Sequence, residues 1–316
     1  MKNDKATILF VDDEEAIVET LRASFRREYE VLTTTDPNEA LSIVSQRPIH
    51  VLVADQRMPH MRGIELLSKV REISPNTIRI LLTGFSDLAA IVGSVNDGQV
   101  FRFISKPWNH QEIKAIIAQA ASIGLRTASV SAKGGQQSTA EAVDRGNQNH
   151  HLLVIDDDMA TAQILKKLFT GSHEVHGAAN VRQALEVLNE SDISVIVSEL
   201  QVSGEDTRPF LRVLKRRYPL IQSVLATKFV DSDDIIKLIN QAQIYRFTSK
   251  PVSHGALRLS VNAALRQHMK YAENPELLVS QEVEEVQEDE SRSSLFANVI
   301  KSLRGLTNRW SLVRFH

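Results

Sequence analysis

Asp12, Asp13, Asp55, Thr83 and Lys106 are an acidic pair, a lone carboxylate, a hydroxyl and a lysine. Brought together they would form a phosphoryl-accepting site. An ionised carboxylate can act as nucleophile in aspartyl-phosphate chemistry, and the protein's task in such transfer is mostly positioning and charge stabilisation. In that chemistry Asp55 takes the phosphoryl group, Thr83 donates a hydrogen bond to one of its oxygens, and Lys106 neutralises another. Three crowded carboxylates repel one another. A hard divalent ion such as Mg²⁺, which takes oxygen ligands, would relieve that repulsion with Asp12, Asp13 and Asp55 as ligands.

The chain then repeats itself. Asp156, Asp157, Thr227 and Lys250 each stand 144 positions after Asp12, Asp13, Thr83 and Lys106, with no gap needed. Phe103 maps onto Phe247 and Pro107 onto Pro251 at the same offset. One member changes: Asp55 becomes Glu199. The extra methylene carries the carboxylate away from the productive position, and misplacement near 1 Å can cost on the order of 100-fold. The first copy therefore reads as working and the second as altered at its reactive residue.

Alternating short strands and helices must position these groups. Ile8-Leu9-Phe10-Val11 runs into Asp12-Asp13, and Val51-Leu52-Val53-Ala54 runs into Asp55. Ile78 to Leu82 ends at Thr83, and Phe101 to Ile104 ends near Lys106. Val31 to Thr34 is the remaining strand. Helical spacing follows each strand, near 16–25, 37–46, 64–71, 89–95 and 113–121. The strands are nearly uninterrupted apolar runs, as in a parallel sheet covered on both faces. Every candidate residue falls at the carboxyl end of a strand, the edge where open α/β sheets bind ligands. The second copy repeats the pattern, with strands near 152–155, 174–177, 195–198, 223–226 and 245–248.

Composition sets the frame. The chain has 316 residues, enough for two ordinary domains, with 42% hydrophobic and 24% charged residues. A formal charge of -2 argues against a broad nucleic-acid-binding surface. There is no cysteine, which excludes disulfides and thiolate metal sites and fits a cytoplasmic location. No membrane-spanning run and no signal-peptide pattern is found. The ten histidines show no paired ligand spacing and read as surface or core residues.

The motifs FVDDE, ADQRMPHMRGIELL, LLTGF and FRFISKPW follow in order at the first, third, fourth and fifth strands. On them, Lys5 to Ile123 resembles the receiver domain of bacterial two-component response regulators. DQRMP and KPW are most similar to receivers of hydrogenase-type transcription regulators and cyclic-di-GMP phosphodiesterases. The resemblance implies Asp55 as phosphoacceptor, Asp13 as a direct Mg²⁺ ligand with Asp12 nearby, and the Arg57 backbone carbonyl completing the metal site. It also implies that Thr83 and Phe103 move together as a switch, and that Gly84 keeps the phosphoryl pocket open. From about His151 to Gln267 the chain resembles a degenerate receiver, with Asp156, Asp157, Glu199, Thr227 and Lys250 as the altered site. There Val202-Ser203-Gly204 replaces the MPxxxG turn, and Lys228, in the place of Gly84, could pair with Glu199.

The resulting expectation is two flavodoxin-like (βα)5 domains of sheet order 2-1-3-4-5. A receiver spans 5–123, a flexible linker 124–149 and a pseudoreceiver 150–270. An acidic spacer over 271–291 and a basic amphipathic helix over 292–316 follow. That helix could dock on a partner helix, lie on a membrane surface or pack back on its own domains. The function expected is that of a phosphorelay response regulator, taking phosphate from a histidine kinase or phosphotransfer protein and acting through an output protein rather than DNA. No dedicated catalytic domain is expected, only self-phosphorylation and autodephosphorylation. A phosphorylation-independent scaffold and a phosphate sink remain as alternatives. A homodimer would use the region around Ile91, Val95, Phe101 and Ile116.

Overall fold

The computed structural model describes residues 5–84, 100–133, 149–228, 232–275 and 278. Most of the expected acidic spacer, the basic tail, the helix expected near 89–95 with Ile91 and Val95, and most of the expected linker lie outside the described residues; the first residues of the spacer, up to Glu273, continue the last helix.

The first unit is a five-stranded parallel sheet of order β2-β1-β3-β4-β5. Its strands are β1 (Thr7–Val11), β2 (Glu30–Thr34), β3 (Val51–Asp55), β4 (Ile78–Thr83) and β5 (Arg102–Ser105). Its described helices are α1 (Glu15–Phe25), α2 (Pro37–Gln46), α3 (Gly63–Ile73) and α4 (His110–Lys133). The apolar runs are buried along their length: all five residues of β1 and of β3 are buried. One face of the sheet packs Ile8, Phe10, Val51, Val53, Ile80 and Leu82 against α1 and α4. Burial of each such side chain stabilises by roughly 1.5–3 kcal/mol, and it fixes the register that puts the polar strand ends side by side.

The second unit repeats this with order β7-β6-β8-β11-β12. Its main strands are β6 (His151–Ile155), β7 (Glu174–Ala178), β8 (Ile193–Ser198), β11 (Gln222–Thr227) and β12 (Arg246–Ser249). Its helices are α5 (Ala160–Leu168), α6 (Val181–Glu190), α7 (Arg208–Arg217), α8 (Ser232–Ala242) and α9 (His254–Glu273). Local signals start several helices in both units. Asp36, Asn180 and Ser253 accept from backbone N–H groups two or three residues on and cap α2, α6 and α9.

The segment expected as a linker begins as helix, continuing the last helix of the receiver: α4 runs unbroken to Lys133. Two differences from expectation stand out. Ile116 is fully buried in the first core, so it offers no surface for a second copy, and Phe101 is half-buried against that core. An extra hairpin, β9 (Gln201–Val202) with β10 (Glu205–Asp206), occupies the second unit where the first has an irregular loop. Its turn residues Ser203 and Gly204 have φ of 51° and 79°, as a two-residue type I′ turn requires. Among the described residues no helix is long and apolar enough to cross a membrane.

Candidate functional site

In the first unit, parallel pairing brings Val11, Ala54 and Leu81 into one row, and the residues just beyond them meet at the carboxyl edge. Lys106 extends its ammonium into that edge. It lies 2.8 Å from Asp12 Oδ2 and 2.5 Å from Asp55 Oδ1. Asp12 Oδ1 also accepts from the Glu14 N–H at 3.1 Å, and Asp55 Oδ2 from the Arg57 N–H at 2.5 Å. Asp13 is exposed, and among the described residues nothing donates to it.

Burial pushes the Asp12 carboxyl up, against the hydrogen bond from Lys106 that pulls it down. Burial also opposes the Lys106 ammonium, but its bonds to Asp12 and Asp55 together outweigh that and raise its pKa. The two directions pull against each other across one bond. We take the pair as ionised at neutral pH, because losing either charge would strand the other in a desolvated site. Thr83 is buried at the end of β4, its hydroxyl 3.3 Å from the Gly84 carbonyl. A Cβ at Gly84 would meet no described atom within 4 Å. Phe103 is fully buried one strand away, paired in register with Leu81.

Gln56, in the DQRMP motif, and Gly63, which closes the MPxxxG turn, hold Asp55 in place. Gln56 is buried, donates its N–H to Leu82 and accepts from the Ile64 N–H through Oε1. Gly63 starts α3 so close to the strand that a Cβ there would sit 2.1 Å from the Asp55 carbonyl oxygen.

The second unit rebuilds the same lysine bridge: Lys250 lies 2.7 Å from Asp156 Oδ2 and 2.9 Å from Glu199 Oε2. Burial opposes this ammonium, and its bonds to Asp156 and Glu199 raise it. Around the bridge further donors reach the acids. Asp156 also accepts from the Thr161 hydroxyl at 2.8 Å and the Asp158 N–H at 3.1 Å. Asp157 accepts from the Ser203 N–H at 2.7 Å, and the Ser203 hydroxyl is tied to the Ala179 carbonyl. Glu199 curls back so that Oε1 accepts from the next amide, Leu200, at 2.8 Å. The expected pairing of Lys228 with Glu199 is corrected: Glu199 is held by Lys250, and Lys228 is exposed. Thr227 is buried like Thr83, whereas Phe247 is only half-buried where Phe103 is inaccessible.

The first site's donors are all hard oxygens: three carboxylates and, two residues past Asp55, a backbone carbonyl at Arg57. That set suits Mg²⁺, which is held through one or two carboxylates with waters and phosphate oxygens. A carboxylate with a lysine at bonding distance can accept a phosphoryl group.

The model of the response regulator receiver domain matches residues 8–118 and again residues 152–262. The hydrogenase transcriptional regulatory protein HoxA of Cupriavidus necator is 36% identical over 120 residues, 38% of this chain and 25% of that protein. HoxA of Bradyrhizobium diazoefficiens is 27% identical over 213 residues, 64% of this chain and 40% of that protein. The chain thus spans a quarter to two fifths of the length of these regulators. Sporulation initiation phosphotransferase F of Bacillus subtilis is 32% identical over 115 residues, 36% of this chain and 90% of that protein. Among solved structures, the signal receiver domain of an HD domain-containing protein from Pseudomonas fluorescens is 30% identical. It covers 41% of this chain and 96% of that one, with a TM-score of 0.39.

Proposed function

Since the chain belongs to the response regulator receiver family, with two receiver domains in tandem, we propose that the first is its phosphoacceptor and the second a pseudoreceiver. Asp55 Oδ attacks the phosphorus of a phosphohistidine on a histidine kinase or phosphotransfer protein. The new O–P bond forms as the P–N bond breaks, and the departing imidazole takes up a proton. Asp12, Asp13, Asp55 and the Arg57 carbonyl would hold Mg²⁺, which when bound neutralises the charge of the transferring group. Lys106 holds Asp55 and compensates the incoming charge, and Thr83 is placed to donate to a phosphoryl oxygen. Gln56 and Gly63 keep the Asp55 backbone still. Movement of Thr83 with Phe103 would then carry the signal to a changed protein surface, and an output through protein contact in the cytoplasm is the reading we favour.

The observation that carries this reading is the Lys106 ammonium between Asp12 and Asp55, beside an Asp13 with no protein donor among the described residues. The test is intact mass after incubation with a small phosphoryl donor and Mg²⁺, for the wild type and Asp55→Asn. One added phosphoryl group in the wild type and none in the variant is expected. Two groups would overturn the pseudoreceiver, and none in the wild type, with the small donor or a histidine kinase, would overturn the phosphoacceptor. Partner binding that is identical for wild type and Asp55→Asn would instead indicate a scaffold.

A further inference from the structure

At the opposite end of the second sheet, four residues back along β6 from Ile155 and about 13 Å away at 3.3 Å per residue, three side chains converge. His151 opens β6, and Glu174 and His176 lie on the edge strand β7. The register pairs His151 with Glu174 and Leu153 with His176. Residues two apart on a strand share a face, so all three project from the same side. His151 Nδ1 lies 3.0 Å from His176 Nε2 and 3.6 Å from Glu174 Oε2, and His176 Nε2 lies 3.7 Å from Glu174 Oε1.

Taking one donor atom from each side chain, the three lie within 4.8 Å of one another, near enough to close on one ion with small side-chain rotations. Ligands at 2.0–2.1 Å from a zinc-class ion sit about 3.4 Å apart. The three side chains are 30%, 54% and 20% exposed, which leaves a fourth position to solvent. Two imidazoles and one carboxylate are also a donor set that favours transition ions over Mg²⁺ or Ca²⁺.

The first receiver supplies the control. Its residues at the same positions are Thr7, Glu30 and Leu32. There the Thr7 hydroxyl donates to Glu30 Oε2 at 3.1 Å, and Arg47 neutralises Glu30 at 2.5 Å. In the second receiver the counterpart of Arg47 is Ser191. Among the described residues Glu174 pairs with the two histidines instead. The glutamate has kept its place while its arginine has gone and two imidazoles have come to face it.

We propose that His151, Glu174 and His176 form a binding site for a divalent transition-metal ion of the zinc class, tetrahedral with a water or an external ligand in the fourth position. The site is separate from the phosphoacceptor chemistry and clamps the edge strand β7 to β6. The experiment is titration of the full chain with Zn²⁺, in excess Mg²⁺ to occupy the oxygen-rich pocket of the first receiver, with Co²⁺ absorption as a readout of geometry. One equivalent should bind, with a tetrahedral Co²⁺ spectrum. His151→Thr and His176→Leu install residues that the first receiver already carries at these positions, and Glu174→Gln preserves shape. Each should weaken binding by at least about 100-fold, the upper end of what loss of an outer-shell partner costs. Absence of Zn²⁺ binding in the wild type, an octahedral Co²⁺ spectrum, or unchanged affinity in the folded variants would overturn the site.

Discussion

The two lysine bridges are nearly superimposable in their distances, yet the carboxylates they hold are in different condition. In the first receiver Asp12 and Asp55 each take one backbone donor besides Lys106, and Asp13 takes none among the described residues. In the second, Asp158 and Leu200 supply the equivalent backbone donors to Asp156 and Glu199, and Thr161 and Ser203 add one donor each, to Asp156 and Asp157. On the proposed reading, acids at the strand ends do not by themselves make a pocket competent: the acidic pair must also be left without those extra donors, so that a metal and a phosphoryl group can claim it. The second pocket would then be a reactive arrangement turned structural.

If that is right, the lysine should matter more for stability in the second receiver than in the first. The Lys250 side chain is 8% exposed and Lys106 24%. Breaking a buried ion pair by removing one partner costs about 3–5 kcal/mol. Lys250→Met should approach that cost. Lys106→Met should fall clearly below it, because water reaches the vacated first site, but it should abolish phosphoryl labelling. Hydrogen exchange of the β8 and β3 amides reads each receiver separately. Equal protection losses would break the comparison.

A gain of function sharpens it next. Glu199→Asp alone should leave the second receiver at least about 100-fold slower to label than the first, because Ser203 still holds Asp157 and Thr161 still holds Asp156. Replacing 200–207 by the first receiver's 56–63 sequence together with Glu199→Asp and Thr161→Ile should recover labelling. Rapid labelling of Glu199→Asp by itself would show that the extra methylene of Glu199, not the added donors from Thr161 and Ser203, decides reactivity.

The smaller contrast lies at the start of the following helix. Gly63 of the first receiver corresponds to Thr207 of the second. Both donate their N–H to the equivalent carbonyl, Gln56 and Leu200. At Gly63 a Cβ would collide with the Asp55 carbonyl, while the Thr207 hydroxyl donates to the Glu199 carbonyl at 2.7 Å. Gly63→Ala should destabilise the first receiver by about 1–3 kcal/mol through overpacking and slow labelling of Asp55. Thr207→Gly should cost the second only about 1 kcal/mol for a lost hydrogen bond. Urea denaturation and labelling rates report both.

These contrasts also mark what could be seen in the chain before folding. Strand ends carrying Asp12, Asp55 and Lys106 were legible because apolar runs of four or five residues stop at a polar residue, and a parallel sheet collects such ends on one edge. Gly63 was visible as the glycine of the MPxxxG turn, but its reason was not, since it arises from a close approach between a helix start and a strand carbonyl. The β9–β10 hairpin was hidden because two-residue strands leave no period to read, although Ser203-Gly204 is a turn signal. Lys228 was a plausible partner for Glu199 because it stands in the place of Gly84, but Lys250, just past the end of the edge strand β12, is the lysine that reaches the acids. The metal-type trio was missed for a related reason. Glu174 and His176 alternate with period two, but His151 joins them only through a cross-strand register that sequence does not state.

Histidines also set the last expected difference between the receivers. His268 and His150 occupy positions where the first receiver has Gly124 and Ala6. The His268 ring lies 5.7 Å from His150, with Nδ1 3.0 Å from the Leu220 carbonyl. Burial holds its pKa below the ordinary imidazole value, the Leu220 carbonyl pulls it up, and the Lys215 charge lowers it further. The folded state therefore binds this proton less readily than the unfolded state does. The stability that follows is fully present above the unfolded imidazole value, about 6.5, and is lost as pH falls from there through the lower folded value. The second receiver should weaken on acidification across that window more than the first. His268→Gln keeps a donor for the Leu220 carbonyl and removes the titration, so it should flatten part of the slope. Exchange-protection measurements from neutral pH downward, with a chelator present, check this. An unchanged slope in the variant would mean that His268 is indifferent to its proton and that the acid sensitivity lies elsewhere in the second receiver.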